Sequence, residues 1–287
     1  MHWFYGVIYI IGLIGYAQIN PNNIEIVRDD YGGPHIFSKT DAELAYGLAW
    51  AHAEDDFKTI QQGYLAGNSL LSHVEGKKAL GIDFISQFIG SDRLYEKKYL
   101  SDVSEEYKKI LNAYCEGINR FAELHPEQVL SKKLFPINTK SLFLYGQLQL
   151  FVSSKGDFWV KKILKNKLNY EPVKDIVKGS NTFAFNSAKT KDGNTYLAIN
   201  THQPLDGPTS WYEVHLCSQE GTNIIGALFA GSPNVLIGAN RNIAWAHTVN
   251  IPDKTDVFAL EMHPKKKKYY RVDKEYLKLK KYKAKLL

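Results

Sequence analysis

Cysteine is nearly absent from this 287-residue chain: only Cys115 and Cys217 occur. Two cysteines cannot build a disulfide scaffold, and no Cys or His lies at metal-ligand spacing from them, which leaves packed thiols or at most one bridge. The chain also lacks the local motifs of the common enzyme classes. It has no G-x-S-x-G elbow, no H-E-x-x-H, no phosphate-binding loop and no G-x-G-x-x-G after a strand. There is no internal repeat and no low-complexity linker. Apolar runs are short, and the longest, at the N-terminus, falls below the ~20 residues of a spanning helix.

Positive charge is abundant overall but confined to one place. The formal net charge is +6, yet residues 265–287 alone hold ten Lys and Arg271 against Asp273 and Glu275, so the rest of the chain is slightly acidic. A basic tail on a neutral body is a solvated face rather than a nucleic-acid surface, and no nucleic-acid partner is expected. With 44% hydrophobic and 13% aromatic residues, the chain can bury a sizeable core.

Residues 1–17 form an apolar run ending in Gly15-Tyr16-Ala17, as a signal-peptide cleavage site would. The expectation is a leader over 1–17, an exported protein, periplasmic or secreted, and no membrane span once the leader is removed. His2 is the only basic group before the run, so an uncleaved anchor or a buried strand are the rival readings.

The alternation of residues 24–29 predicts a strand, followed by a turn and second strand over 31–36. Thr40 and Glu43 make a capping-box pattern, and Leu44, Ala45, Leu48, Ala49 and His52 share one face of a helix running to about Gln62. Residues 64–100 look mixed, broken by glycines. Tyr107, Ile110, Leu111, Tyr114, Ile118 and Phe121 place a second helix over 104–124, and a third helical region covers 139–168 with an interruption near 153–157. From Thr182 the chain reads as strands: around 183–185, 195–199 after a turn at 191–194, then 211–217, 223–229, 234–237 and 243–248. The Lys-rich end reads as a hairpin of 265–271 and 276–285 about Asp273-Lys274, since edge strands favour Lys. A helical front and a strand-rich back define an α+β layered chain.

Gly179-Ser180-Asn181 alone is an ordinary turn tripeptide. It stands, however, in an ordered series: Arg28-Asp29-Asp30-Tyr31-Gly32-Gly33-Pro34-His35-Ile36, then residues 45–57 (AYGLAWAHAEDDF), the junction Gly179-Ser180-Asn181-Thr182-Phe183-Ala184, Asn200-Thr201-His202, Trp211-Tyr212-Glu213-Val214-His215-Leu216, the 226–233 segment, Gly238-Ala239-Asn240, and Ile243-Ala244-Trp245-Ala246-His247-Thr248-Val249. In order and spacing this series, over about 24–262, resembles the penicillin acylase (penicillin amidase) family, which includes acyl-homoserine lactone and cephalosporin acylases.

The resemblance implies an N-terminal-nucleophile hydrolase with a four-layer α/β/β/α sandwich, incomplete in this chain. The precursor would cut itself between Gly179 and Ser180. The mostly helical chain 18–179, with a possible spacer at its end, and the strand-rich chain 180–287 would remain together as a heterodimer. The substrate would be a small-molecule acyl amide, hydrolysed through an acyl-Ser180 intermediate. An α-amine has an ordinary pKa of about 7.7–8.0, so the freed amine of Ser180 can serve as its own base. Gly179, lacking Cβ, would tolerate the strained carbonyl geometry of the attack. By motif position the Val249 N–H would be one oxyanion donor, and His202 would orient the Ser180 amine or hydroxyl. His202 stands where the lactone- and cephalosporin-acylase branches have His and the penicillin G acylases Gln. His215 and His247 read as packing residues. Asp253, Thr255 and Asp256 resemble the family's structural calcium segment, with Asp157 a further candidate carboxylate.

The chain departs from the family in one respect. The resemblance implies several hundred residues beyond 287, including an Asn that is the second oxyanion donor, and Asn240, Asn242 and Asn250 lie in the wrong segment for it. A truncated or split acylase is therefore expected, and the alternative to an active enzyme is an inactive or partner-requiring N-terminal fragment.

Overall fold

The computed structural model describes residues 19–167, 179–248 and 254–286. The leader expectation, Val249 and Asp253 lie outside the described residues.

The chain starts with an antiparallel hairpin, β1 (Glu25–Arg28) and β2 (Pro34–Ser38). Its turn is held by Asp29, whose carboxylate accepts the main-chain N–H groups of Gly33 at 2.8 Å and Tyr31 at 2.9 Å. Those two bonds, the Gly33 one foremost, hold the Asp29 carboxyl below the usual range. Helix α1 (Asp41–Gly67) follows. The capping box forms as the sequence indicates: the Thr40 hydroxyl accepts the Glu43 N–H, and Glu43 accepts the Thr40 N–H in return.

Helix α1 passes Gln62 and continues to Gly67, but not as one straight rod. Asp56 has non-helical angles (φ −152°, ψ 58°), and its carboxylate accepts the Thr59 N–H at 3.1 Å. Asp56 thus acts as an internal N-cap that restarts the helix in a new direction.

Residues 72–102 form α2 (Ser72–Glu75), α3 (Leu80–Phe88) and α4 (Ser91–Asp102), more helical than the glycines suggested. Gly76 (φ +67°) and Gly90 (φ +69°) do break the helices, whereas Gly81 lies inside α3. Helix α5 (Glu105–Leu124) is capped by Ser104 and buries Leu111, Tyr114, Ile118 and Phe121. The third helical region is α6 (Thr139–Ser153) and α7 (Gly156–Leu164), broken at Lys155 (φ +60°) within the expected interruption.

The strands after the junction enter three sheets. β3 (Asn181–Phe185) and β4 (Tyr196–Asn200) make a separate two-stranded sheet. β5 (Trp211–Ser218), β6 (Asn223–Phe229), β7 (Ile237–Ala239) and β8 (Ala244–Trp245) join the first hairpin in the order β1-β2-β5-β6-β7-β8. The last two are shorter and begin later than their apolar runs suggested. β9 (Tyr269–Val272) and β10 (Glu275–Lys278) form the Lys-rich hairpin, also shorter than expected, with Asp273 in the left-handed region at its turn.

Every neighbour in the large sheet is antiparallel except β2 and β5, which pair in parallel with His35 opposite His215. Parallel strands need a crossover, and here it includes helices α1 to α7 and the β3–β4 hairpin. One face of the sheet, carrying Ile36, Val214, Leu216 and Leu228, packs with Leu44, Leu48, Tyr64 and Tyr114 in a single core. The described chain is thus α+β: a helical layer on a six-stranded sheet, with two small sheets besides. Both cysteines are free thiols, and burial raises that of Cys115 to about 12. Among the described residues no helix is long and apolar enough to cross a membrane.

A polar clasp fastens sheet to helix. The Arg28 guanidinium on β1 donates to Glu54 at 3.1 Å and Asp55 at 2.9 Å on α1, and the Tyr212 hydroxyl on β5 donates to the same Asp55 oxygen at 2.7 Å. Against Tyr212 lies the His52 ring, with centroids 3.9 Å apart and planes within 4°. His52 is 2% exposed and its Nδ1 has no partner. Burial pushes its pKa down to about 4, against the opposing pull of Asp56 and Asp55. The unfolded chain takes up this proton near pH 6.5 and the folded chain only near 4. Stability contributed by neutral His52 is therefore complete above pH 6.5 and lost as pH falls toward 4, by roughly 3 kcal/mol. Chemical denaturation at pH 7.5 and 4.5 should show this loss in the wild type and a much smaller one in His52→Phe, which keeps the stack on Tyr212. An equal loss in both proteins would contradict the assignment.

Candidate active site around Ser180

The hairpin register builds the site. Asn181 pairs with Asn200 and Phe185 with Tyr196, so the start of β3 lies beside the end of β4. Ser180, one residue before β3, thereby meets the chain just past β4. The His202 N–H donates to the Ser180 hydroxyl oxygen at 3.2 Å, and the His202 ring Nε2 lies 3.4 Å from the Asn181 amide nitrogen. Ser180 and His202 are brought together through the main chain of His202, while its ring faces Asn181. Asn181 was read only as part of the junction; its contact with His202 follows from a register that sequence alone does not define.

The far end of the hairpin is fixed by its turn. Asp192 accepts from the Asn194 N–H at 3.1 Å and amide at 3.0 Å and from the Tyr196 hydroxyl, with Gly193 at φ +72° between them. The Tyr196 bond foremost, then those from Asn194, lower the Asp192 carboxyl to about 2.

Gly179 shows no steric need for glycine. It lies outside the positive-φ region, and a Cβ there would meet nothing within 4 Å. In the uncut chain the Ser180 nitrogen is an amide and cannot accept a proton, so the bonded hydroxyl has no adjacent base of its own. Ser180 is half-buried and His202 exposed, and the hairpin leaves Phe183, Phe185 and Tyr196 about half exposed. Cavities of about 730 Å³ beside α5 and about 600 Å³ between α3 and residues 282–285 contain neither Ser180 nor His202.

The remaining candidates lie apart. The Thr255 hydroxyl donates to the Ser154 carbonyl at 2.7 Å, which brings the 254–256 segment to the corner before α7. Asp157, in the first turn of α7, is paired with Lys161 at 2.8 Å, and Asp256 is exposed. Among the described residues no group of three or more His, Cys, Asp or Glu side chains could hold a metal. The oxygen donors at 254–256 suit a hard cation in kind, though others would have to join them.

This combination of fold, ordered motifs and a serine opening a strand has a family. The sequence model of the penicillin amidase family matches residues 23–286, and the chain belongs to that family. Among its curated relatives is the acyl-homoserine lactone acylase PvdQ of Pseudomonas syringae pv. syringae (strain B728a), 23% identical over 94% of this chain and 39% of the relative. The aculeacin-A acylase of Actinoplanes utahensis is 32% identical over 33% of this chain and 12% of that protein. A solved thermostable penicillin G acylase from Alcaligenes faecalis aligns at 16% identity and TM-score 0.39, over 54% of this chain and 96% of that one, a likeness too partial to bear on the chemistry. The chain spans about two fifths of the length of the first of these relatives.

Proposed function

We propose that this chain carries the nucleophile of a self-cleaving acylase, which hydrolyses the side-chain amide of an N-acyl compound through an acyl-Ser180 intermediate. The observation that carries the reading is the Ser180–His202 hydrogen bond at the start of β3, within the region matched by the family model. Cutting at Gly179–Ser180 converts the Ser180 amide nitrogen into an α-amine, ordinarily of pKa about 7.7–8.0, that can take the hydroxyl proton. The Val249 N–H would then donate to the oxyanion, a kind of bond worth about 10²–10³ in rate. His202 would position the amine or hydroxyl. The acyl-homoserine lactone acylases among the relatives point to an acyl-homoserine lactone as the substrate class. The protein would be exported after removal of residues 1–17.

A second reading has its own support. The exposed apolar side chains of β3 and β4 suit a site completed by further chain, and on this reading the 287 residues alone neither cut nor hydrolyse.

Calcium, held by Asp253 and Asp256 with the Thr255 carbonyl, would stabilise the fold and take no part in the reaction. Binding to the native state alone raises stability by about 2.7 kcal/mol at a hundredfold excess over Kd. The protein expressed from its whole reading frame should melt higher in calcium than in chelator, with the difference lost in Asp256→Ala. Equal melting temperatures would remove the site.

The nucleophile is tested in the same protein. Edman sequencing should find one chain starting at Gln18 and a second at Ser180. Ser180→Ala should abolish cutting and hydrolysis together, whereas His202→Ala should still cut and lose up to about 10² in hydrolysis through misplacement of the nucleophile. A second chain starting elsewhere, or full activity in Ser180→Ala, would overturn the mechanism. The same assays on the 287-residue chain alone separate the two readings.

A further inference from the structure

On the sheet face away from the helices, His35 of β2 and His215 of β5 stand directly opposite one another. Their Nδ1 atoms are 3.1 Å apart. Each ring is held by its other nitrogen. His35 Nε2 faces the Asp29 carboxylate at 3.6 Å, and His215 Nε2 lies 3.1 Å from the Asn223 Oδ1. A carbonyl oxygen can only accept, so the His215 ring keeps its proton on Nε2 and turns its Nδ1 lone pair toward His35, whose own Nε2 faces a carboxylate. In the metal-free protein the two Nδ1 atoms share one hydrogen bond, one ring donating and the other accepting, and loss of that single proton leaves two converging lone pairs for a cation. Two nitrogens bound to one tetrahedral zinc at 2.0–2.1 Å lie about 3.3–3.4 Å apart, close to the separation present. Metal-binding histidines commonly donate their second N–H to a carboxylate or carbonyl oxygen. Asp29 is itself anchored by the Gly33 and Tyr31 N–H groups. Phe37 packs edge-on against the His215 ring, and His35 remains one-third exposed, so an ion can reach the pair.

We propose that His35 and His215 form a two-nitrogen site for a divalent transition-metal ion of the zinc–copper group, with solvent completing its coordination. β2 precedes Ser180 and β5 follows it, so the ion would bridge a parallel strand pair that joins the two sides of the junction. Imidazole donors favour such ions over calcium or magnesium.

Zinc titration of the 287-residue chain, followed by equilibrium dialysis and by imidazole ¹⁵N NMR, tests the site. In the zinc-free protein the His215 ring should carry its proton on Nε2. At one equivalent of Zn²⁺ the Nδ1 signals of His35 and His215 should shift together, and magnesium should not displace the ion. His35→Gln and His215→Gln should each weaken binding at least about tenfold. Asp29→Asn should weaken it about 10- to 100-fold by releasing the ring, and His73→Gln should leave it unchanged. Zinc affinity unaltered by the His35 and His215 substitutions would overturn the proposal. So would shifts confined to other histidines, a reading that needs no variant to fold.

Discussion

Helix α1 must be covered on most of its circumference, and the rest of the structure is arranged to cover it. Leu44, Leu48, Ala49, Phe57, Ile60, Tyr64 and Leu65 are all nearly inaccessible. No single partner could bury so many directions of one helix. The sheet packs on one side, α5 on another and α6 on a third. Close approach needs small residues at the crossings: a Cβ on Gly117 would meet the Tyr46 carbonyl at 2.6 Å, and one on Gly67 the Tyr145 main chain at 2.6 Å. The shared burial draws both sides of the Gly179–Ser180 junction onto one helix, since Ile36 comes before the junction and Val214, Leu216 and Leu228 after it.

Polar contacts then fix how those layers sit. Arg28, Asp55 and Tyr212 link β1, α1 and β5 through one carboxylate oxygen and one guanidinium. The Tyr64 hydroxyl donates to the Gly231 carbonyl at 2.6 Å, tying the second half of α1 to the turn after β6. The Gln61 side chain holds the 128–130 segment by accepting the Leu130 N–H and donating to the Gln128 carbonyl. Tyr64 and Gln61 are fully buried and partnered across elements distant in sequence, which makes them costly to misplace. Among the described residues β3 and β4 make no such tie to the core, and the junction sits on their hairpin.

Much of the helical half was legible because its signals are local. The Thr40–Glu43 box, the face of α5 and the break near Lys155 need only a few residues of context. The Asp56 kink was not, since consecutive acidic residues in a helix read as solvated surface. Glycines misled over 64–100 because a glycine inside a helix and one at positive φ look alike until their neighbours are known. At the site, the junction was legible as an ordered motif, but the contact between Ser180 and the His202 main chain depends on hairpin register. The Nδ1 contact of His35 and His215 was out of reach of local reasoning, because 180 residues separate them and only the parallel crossover brings them together.

Native-state hydrogen exchange tests most directly whether α1 unites the two sides of the junction. Amides of α1, α5, β2, β5 and β6 should open together at the free energy of global unfolding, while those of β3 and β4 exchange through a separate, less costly opening. Exchange of β5 and β6 well below the protection of α1, with β2 still closed, would contradict a single shared core.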